Sequence, residues 1–240
     1  ITQHIFRVYQ DLYEQISSMS LSELNELLDI NNREKYIGNS FKQYGLDNHD
    51  RYLEYLVRIN SRVGKTIFSR IKHLVMQCIA ESGVDISVWG INWEHYAGMS
   101  IFAKGPASNG EEINIIQNES KISMNNSPEL SFHMKALEIM GSMSFMLSRD
   151  HEYDIESLKN HFVEDEEIVL FKDEHELIKK VEYYLTHKTE RYEIARNAYN
   201  KVMDKYTYKA VGKKILSDFK ECFNIHFPGC DHKIDHSLSM

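Results

Sequence analysis

Three groups of residues in this chain have types and spacing suited to chemistry. The run Val84-Asp85-Ile86-Ser87-Val88-Trp89-Gly90, followed by Ile91-Asn92-Trp93, is an apolar strand pattern that ends on glycine. A strand ending this way lets backbone approach a ligand at the C-terminal edge of an open α/β sheet, where such folds bind nucleotides; a strand running into an ordinary turn reads the same. Lys135 and Glu138 stand one helical turn apart in His133-Met134-Lys135-Ala136-Leu137-Glu138, which brings an ammonium and a carboxylate to one end of a helix. The alternative is a buried amphipathic helix with Phe132, Ala136, Leu137 and Met140 as core and Glu138 solvated. Cys222, His226, Cys230, His232 and His236 could ligate zinc, but no Cys-x-x-Cys pair anchors them, and they read as a tail.

Other signals exclude more than they offer. Gly64-Lys65-Thr66 has the close of a phosphate-binding loop, yet Ile59 stands where its opening glycine belongs. Arg62, Lys65 and Arg70 then lie on a solvated helix face. Neither Gly-x-Ser-x-Gly nor His-Glu-x-x-His occurs, so hydrolase and zinc-protease chemistry lack their usual starting residues. The acidic run Glu164 to Glu167 reads as a solvated turn.

Composition sets the frame for these residues. With 240 residues, 42% apolar and 27% charged, the chain is long enough for a sizeable core, and no run approaches the roughly 20 apolar residues of a membrane span. A formal net charge of −8 argues against a nucleic-acid partner, which needs clustered Lys and Arg. Three cysteines without framework spacing point to a reducing compartment, the cytoplasm by default. The chain begins at Ile1 with no methionine and no apolar leader, as a trimmed chain or a fragment lacking an upstream domain would.

The elements that must position the chemistry fall in two parts. Residues 1–82 are expected to be helical: Ile5, Val8, Tyr9, Leu12 and Ile16 keep three- and four-residue spacing, and Ser20 with Glu23 forms a capping-box signature. Asn31 to Asn48, polar and containing Gly38 and Gly45, is expected as a connector before a third helix that starts near His49 and breaks near Gly64. From 83 to 221 short apolar runs alternate with helical stretches. Ile86 to Trp89, Ile101 to Ala103, Ile122 to Met124, Met143 to Leu147 and Ile168 to Phe171 are the expected strands, and their spacing implies a parallel sheet with helices on both faces, an α/β class. Helices are expected at Glu174 to His187, Thr189 to Lys205 and Tyr208 to Phe223, with 222–240 as tail.

Residues from about Val84 to Phe219 resemble the C-terminal, donor-binding half of a GT-B glycosyltransferase. Glu119-Ser120-Lys121-Ile122-Ser123-Met124-Asn125, followed by the His133 to Glu138 stretch and Ile139-Met140-Gly141-Ser142, resembles the spore-maturation-type group of bacterial glycosyltransferases. There a strand ending in Asn precedes a basic residue, an apolar residue, Glu and a small-residue turn. Phe162 to Asp173 and Glu176 to Leu185 look like the closing strand and helix.

This resemblance implies a Rossmann-like domain that binds a nucleoside-diphosphate sugar. Glu138 would hold the ribose hydroxyls, since an ionised carboxylate accepts two hydrogen bonds at once. Lys135 would meet the diphosphate, and Gly90, Trp93, Asn125 and His133 complete the implied donor-binding set. The resemblance also implies that Arg62, Lys65 and Arg70 lie near the donor phosphates, because the preceding segment in this family carries a basic residue before its helix. Two departures stand out: the basic position is more often Arg, whose planar fork Lys lacks, and Glu129 lies one register from the earlier glutamate of related retaining enzymes.

The implied reaction is retaining transfer, metal-independent and without a cofactor beyond the donor, to an unknown glycan, lipid or protein acceptor. The alternative is a non-catalytic glycosyltransferase-like module that binds ligand or oligomerises through the helical region.

Overall fold

The structure is a computed structural model that describes residues 2–96, 98–150, 153–154 and 156–223. Four helices come first: α1 (Thr2–Ser17), α2 (Leu21–Glu26), α3 (Ile30–Gln43) and α4 (Tyr52–Glu81). Val8, Leu12 and Ile16 of α1 are fully buried at four-residue spacing, the seam expected of an amphipathic helix. The capping box of α2 forms as read: the Glu23 N–H donates to Ser20 Oγ at 3.3 Å, and the Ser20 N–H donates to Glu23 Oε2 at 2.8 Å.

Two expectations are corrected. The stretch expected as a connector is mostly helix α3, started by Asp29, whose side chain accepts the Asn32 N–H at 2.9 Å. Its buried Ile37 and Phe41 supply a narrow apolar stripe that the surrounding polar residues obscure. Nor does the third expected helix break near Gly64: α4 runs unbroken for 30 residues, about 45 Å at 1.5 Å per residue. A Cβ at Gly64 would stand 3.6 Å from the Arg33 guanidinium carbon. That is an ordinary contact distance, and Arg33 lies against α4 at this point, donating to Asn60 Oδ1 at 2.6 Å and to the Leu27 carbonyl at 3.1 Å.

The remaining elements follow the expected alternation: β1 (Val88–Trp89), β2 (Ala103–Gly105), α5 (Glu111–Glu119), β3 (Ser123–Asn125), α6 (Met134–Gly141), β4 (Met146–Arg149), β5 (Val169–Phe171), α7 (Glu174–Thr186), α8 (Lys188–Lys205) and α9 (Tyr208–Phe223). β1 pairs parallel with β2, and β3, β4 and β5 form a second parallel sheet in that order. The class is mixed α/β with Rossmann-like parallel pairing, and each strand falls within a few residues of the run that announced it.

Side-chain alternation along the strands divides the three-stranded sheet between two layers. Phe145, Leu147, Val169 and Phe171 point to one face and share a single apolar core with α1, α3, α4, α7 and Ile194 and Ala195 of α8. Met146 and Leu170, buried on the other face, lie where α6 packs on β3 and β4. The helical region is therefore one wall of the sheet domain. The chain divides into two compact units, Ile1–Tyr199 and Asn200–Met240. In the second, Thr207 starts α9 by accepting the Ala210 N–H at 3.1 Å, and α9 exposes Tyr208, Ile215 and Leu216.

Candidate functional site

The C-terminal ends of β3, β4 and β5 carry a concentration of polar side chains in an otherwise apolar sheet. At the end of β3, Asn125 is 1% exposed, and its amide is fully engaged. Nδ2 donates to the Ser131 carbonyl at 2.9 Å and to Ser148 Oγ at 3.0 Å, while Oδ1 lies 3.1 Å from His133 Nε2. His133 is the N-cap of α6, and its Nδ1 accepts the Lys135 N–H at 3.2 Å. With Nδ1 accepting, the proton of a neutral ring sits on Nε2 and is donated to Asn125. Burial lowers the His133 pKa, with Lys135 adding to it, which favours this neutral form.

The Asn125–His133 contact fixes the start of α6 against the strand end. Lys135 and Glu138 then stand one turn apart with exposed side chains. Although the residue is exposed, desolvation by the surrounding protein lowers the Lys135 pKa, helped by Lys72 and opposed by Glu138. Among the described residues neither side chain has a hydrogen bond or ion pair. On the following loop, the Asn126 Nδ2 donates to the Lys72 carbonyl of α4 at 3.2 Å, tying this strand end to the long helix.

The ends of β4 and β5 are closed. Arg149 is 1% exposed, donating from Nη1 to Asn25 Oδ1 at 2.5 Å and from Nη2 to the Ser127 carbonyl at 3.0 Å. Burial brings its pKa down to about 10, against the pull of Asp154 and Asp150, so it stays charged at neutral pH. Asn25 of α2 also donates to the Lys172 carbonyl just past β5 at 3.3 Å, so α2 covers this end of the sheet. Asp150 pairs with Lys159 Nζ at 2.5 Å. Burial is the largest single influence and disfavours the Lys159 charge, but the hydrogen bond and charge of Asp150, with Glu164 and Glu176, together outweigh it and raise the pKa. Asp154 Oδ2 accepts the Ser131 N–H at 2.8 Å, and Ser131 Oγ accepts the Leu158 N–H at 2.9 Å, which shapes the loop that leads into α6.

Gly90 and Trp93 come together at the end of β1. Gly90 has φ +137°, and a Cβ there would stand 3.1 Å from Trp93 Nε1, so only glycine lets the indole lie against this backbone. The Trp93 ring meets His73 of α4 edge-on at 5.4 Å, and His73 also lies 3.6 Å from the Tyr96 ring centre. Thus one turn of α4, from Arg70 to His73, touches the β1 end through His73 and the β3 end through Lys72. The basic face expected for α4 divides: Arg62 and Lys65 are exposed, and Arg70 is half-buried.

A shallow concavity of about 460 Å³ lies beside Trp89, floored by Ile115 and Ile116 and rimmed by Glu111 and Glu112. Its acidic rim opposes a diphosphate, and it includes none of Asn125, His133, Lys135 or Glu138. Among the described residues no cluster of His, Cys, Asp or Glu could hold a metal, and no helix is long and apolar enough to cross a membrane. Cys222 is exposed; His226, Cys230, His232 and His236 lie outside the described residues.

The six sequence-predicted residues therefore form two groups, Asn125, His133, Lys135 and Glu138 at β3 and Gly90 with Trp93 at β1, both touched by α4. Sequence reasoning missed Lys72, Arg149, Asp150 and Asp154. A signal for the middle pair exists: Met146-Leu147-Ser148-Arg149-Asp150 ends an apolar strand on two charges, at the edge where parallel sheets gather polar groups. A family model described as glycosyl transferase-like matches residues 69–217, more than half of the chain. No curated protein and no solved structure matches.

Proposed function

This chain belongs to that glycosyl transferase-like family, and from that premise we propose that it binds a nucleoside-diphosphate sugar over the C-terminal end of β3. It transfers the sugar to a glycan, lipid or protein acceptor, with retention at the anomeric carbon and without a metal. One observation carries the reading: Lys135 and Glu138 stand exposed and uncommitted on α6, whose start is fixed to the strand end by the 3.1 Å Asn125–His133 contact. The carboxylate suits neighbouring ribose hydroxyls, and the ammonium one turn earlier suits a phosphate oxygen. Asn125 and His133 use their polar atoms on each other and on backbone, so their part is to hold α6 in place. Gly90 and Trp93 shape the neighbouring wall.

In the transfer, the bond between the anomeric carbon and the diphosphate oxygen breaks and the electron pair leaves with the diphosphate. The acceptor oxygen bonds to the anomeric carbon, and its proton passes to the departing diphosphate. Lys135 acts on the leaving group, because a fixed positive charge where negative charge develops lowers the barrier. Isothermal titration with uridine and guanosine diphosphates should detect binding to at least one, weakened about tenfold or more in Glu138→Ala, the size expected for a hydrogen bond to a charged group. Absence of binding to any nucleoside diphosphate would overturn the reading.

A second reading is a non-catalytic module that keeps the nucleotide site. It is favoured by residues 2–81 forming helices that share the sheet's core. Donor binding without release of free or transferred sugar from a labelled donor would support it.

A further inference from the structure

Helix α4 belongs to the part of the chain whose spacing announced only packing, yet it reaches the candidate site with a charged residue. We infer that Lys72 of α4 and Lys135 of α6 form a two-cation clamp for a diphosphate, so that the helical wall supplies half of the anion site. The inference rests on the donor-site reading above and deepens it.

The geometry is a continuous relay of bonds through one dipeptide. The Asn126 side chain donates to the Lys72 carbonyl at 3.2 Å, holding that turn of α4 against the loop after β3. The preceding residue, Asn125, holds His133 at 3.1 Å, and His133 in turn accepts the Lys135 N–H at 3.2 Å. Asn125-Asn126 thereby ties both lysine-bearing turns to the strand end.

Both lysine side chains are exposed, and among the described residues neither has an acidic partner within ion-pair distance. Lys72 is close enough for its charge to lower the pKa of Lys135 and of His133. Two ammonium groups held in mutual repulsion gain from an anion between them, whereas a pair dispersed on a solvated face would not. The family match begins at residue 69, inside α4, and so includes this turn.

Inorganic pyrophosphate is the probe, because it carries the phosphates without base or sugar. Titration calorimetry on the full chain should show pyrophosphate binding that falls about tenfold or more in Lys72→Ala and in Lys135→Ala. The double variant should lose less than the product of the two, since each lysine acts on the same anion. Lys121→Ala, an exposed lysine just before β3 at the opposite edge of the sheet, should leave binding unchanged, and unaltered thermal melting would show that the variants fold. Failure of the wild type to bind pyrophosphate overturns the clamp, as does a Lys72→Ala affinity equal to the wild type. Nucleoside diphosphate binding lost in Glu138→Ala but kept in Lys72→Ala overturns the clamp and leaves the donor site standing. Pyrophosphate binding that needs both lysines, without any nucleoside diphosphate affinity, keeps the clamp and removes the donor reading.

Discussion

β3 and β4 are neighbours in one parallel sheet, and both end in polar residues at the same edge, yet their ends differ. At β4, Arg149 is shut in by Asn25 of α2 and the Ser127 carbonyl, and Asp150 is occupied by Lys159. At β3, Asn125 is equally buried but spends its bonds on positioning α6, which lifts Lys135 and Glu138 into solvent. A parallel sheet offers its C-terminal edge to ligands in general; what covers each strand end decides which part of that edge remains open.

The comparison can be broken most severely at the closed end. Arg149→Ala removes two hydrogen bonds and leaves a hole in a fully buried site, and should cost about 3 kcal/mol in chemical denaturation. Arg149→Met, which fills the volume without the donors, should cost less.

Asn125→Ala, at the open end, strands the Ser131 carbonyl and the His133 Nε2–H, and should cost about 2 kcal/mol. Unlike the Arg149 variants, it should also weaken nucleoside diphosphate binding by loosening α6.

A smaller effect follows from His133. Its folded pKa lies below the unfolded value, so the unfolded chain binds more protons as the pH falls. Its contribution to stability is full above the unfolded pKa of about 6.5 and is lost as pH drops through the folded value. His73, lowered chiefly by burial, adds in the same direction. Stability measured from pH 7 to pH 5 should therefore decline, and less steeply in His133→Asn, which retains a capping side chain without the titration. An unchanged slope would mean that His133 titrates alike in the folded and unfolded chain.

Glu138→Ala should be the mildest in stability, within about 0.5 kcal/mol as for an exposed side chain without partners, while it weakens the nucleotide.

Much of this architecture was legible because periodicity encodes burial. Val8, Leu12 and Ile16 recur at helical spacing, and Val169 to Phe171 form a short apolar run of the kind buried in parallel sheets. The connector assigned around Gly38 shows the limit: α3 buries only a few side chains, and Ile37 and Phe41 were outweighed by their polar neighbours. Gly64 misled for a related reason, since a glycine buried within a helix looks the same in sequence as one that ends a helix. At the candidate site, Lys135 and Glu138 were singled out because the order of residues around them resembles the donor-binding pattern and three-residue spacing puts them on one turn. Lys72 was not, because the bond that brings it there joins residues 54 apart in sequence. Arg149 was missed because nothing local foretells that Asn25 covers it.

The core shared by α1 to α4 and the sheet also governs how this protein can be divided. Phe145, Leu147, Val169 and Phe171 bury their faces against residues from the first half of the chain. Cutting at residue 83, where the pattern changes from helical to alternating, would uncover that apolar surface and favour self-association of the fragment. The boundary visible in the amino-acid pattern marks a change of secondary structure, while the apolar core runs across it into the helices on its N-terminal side.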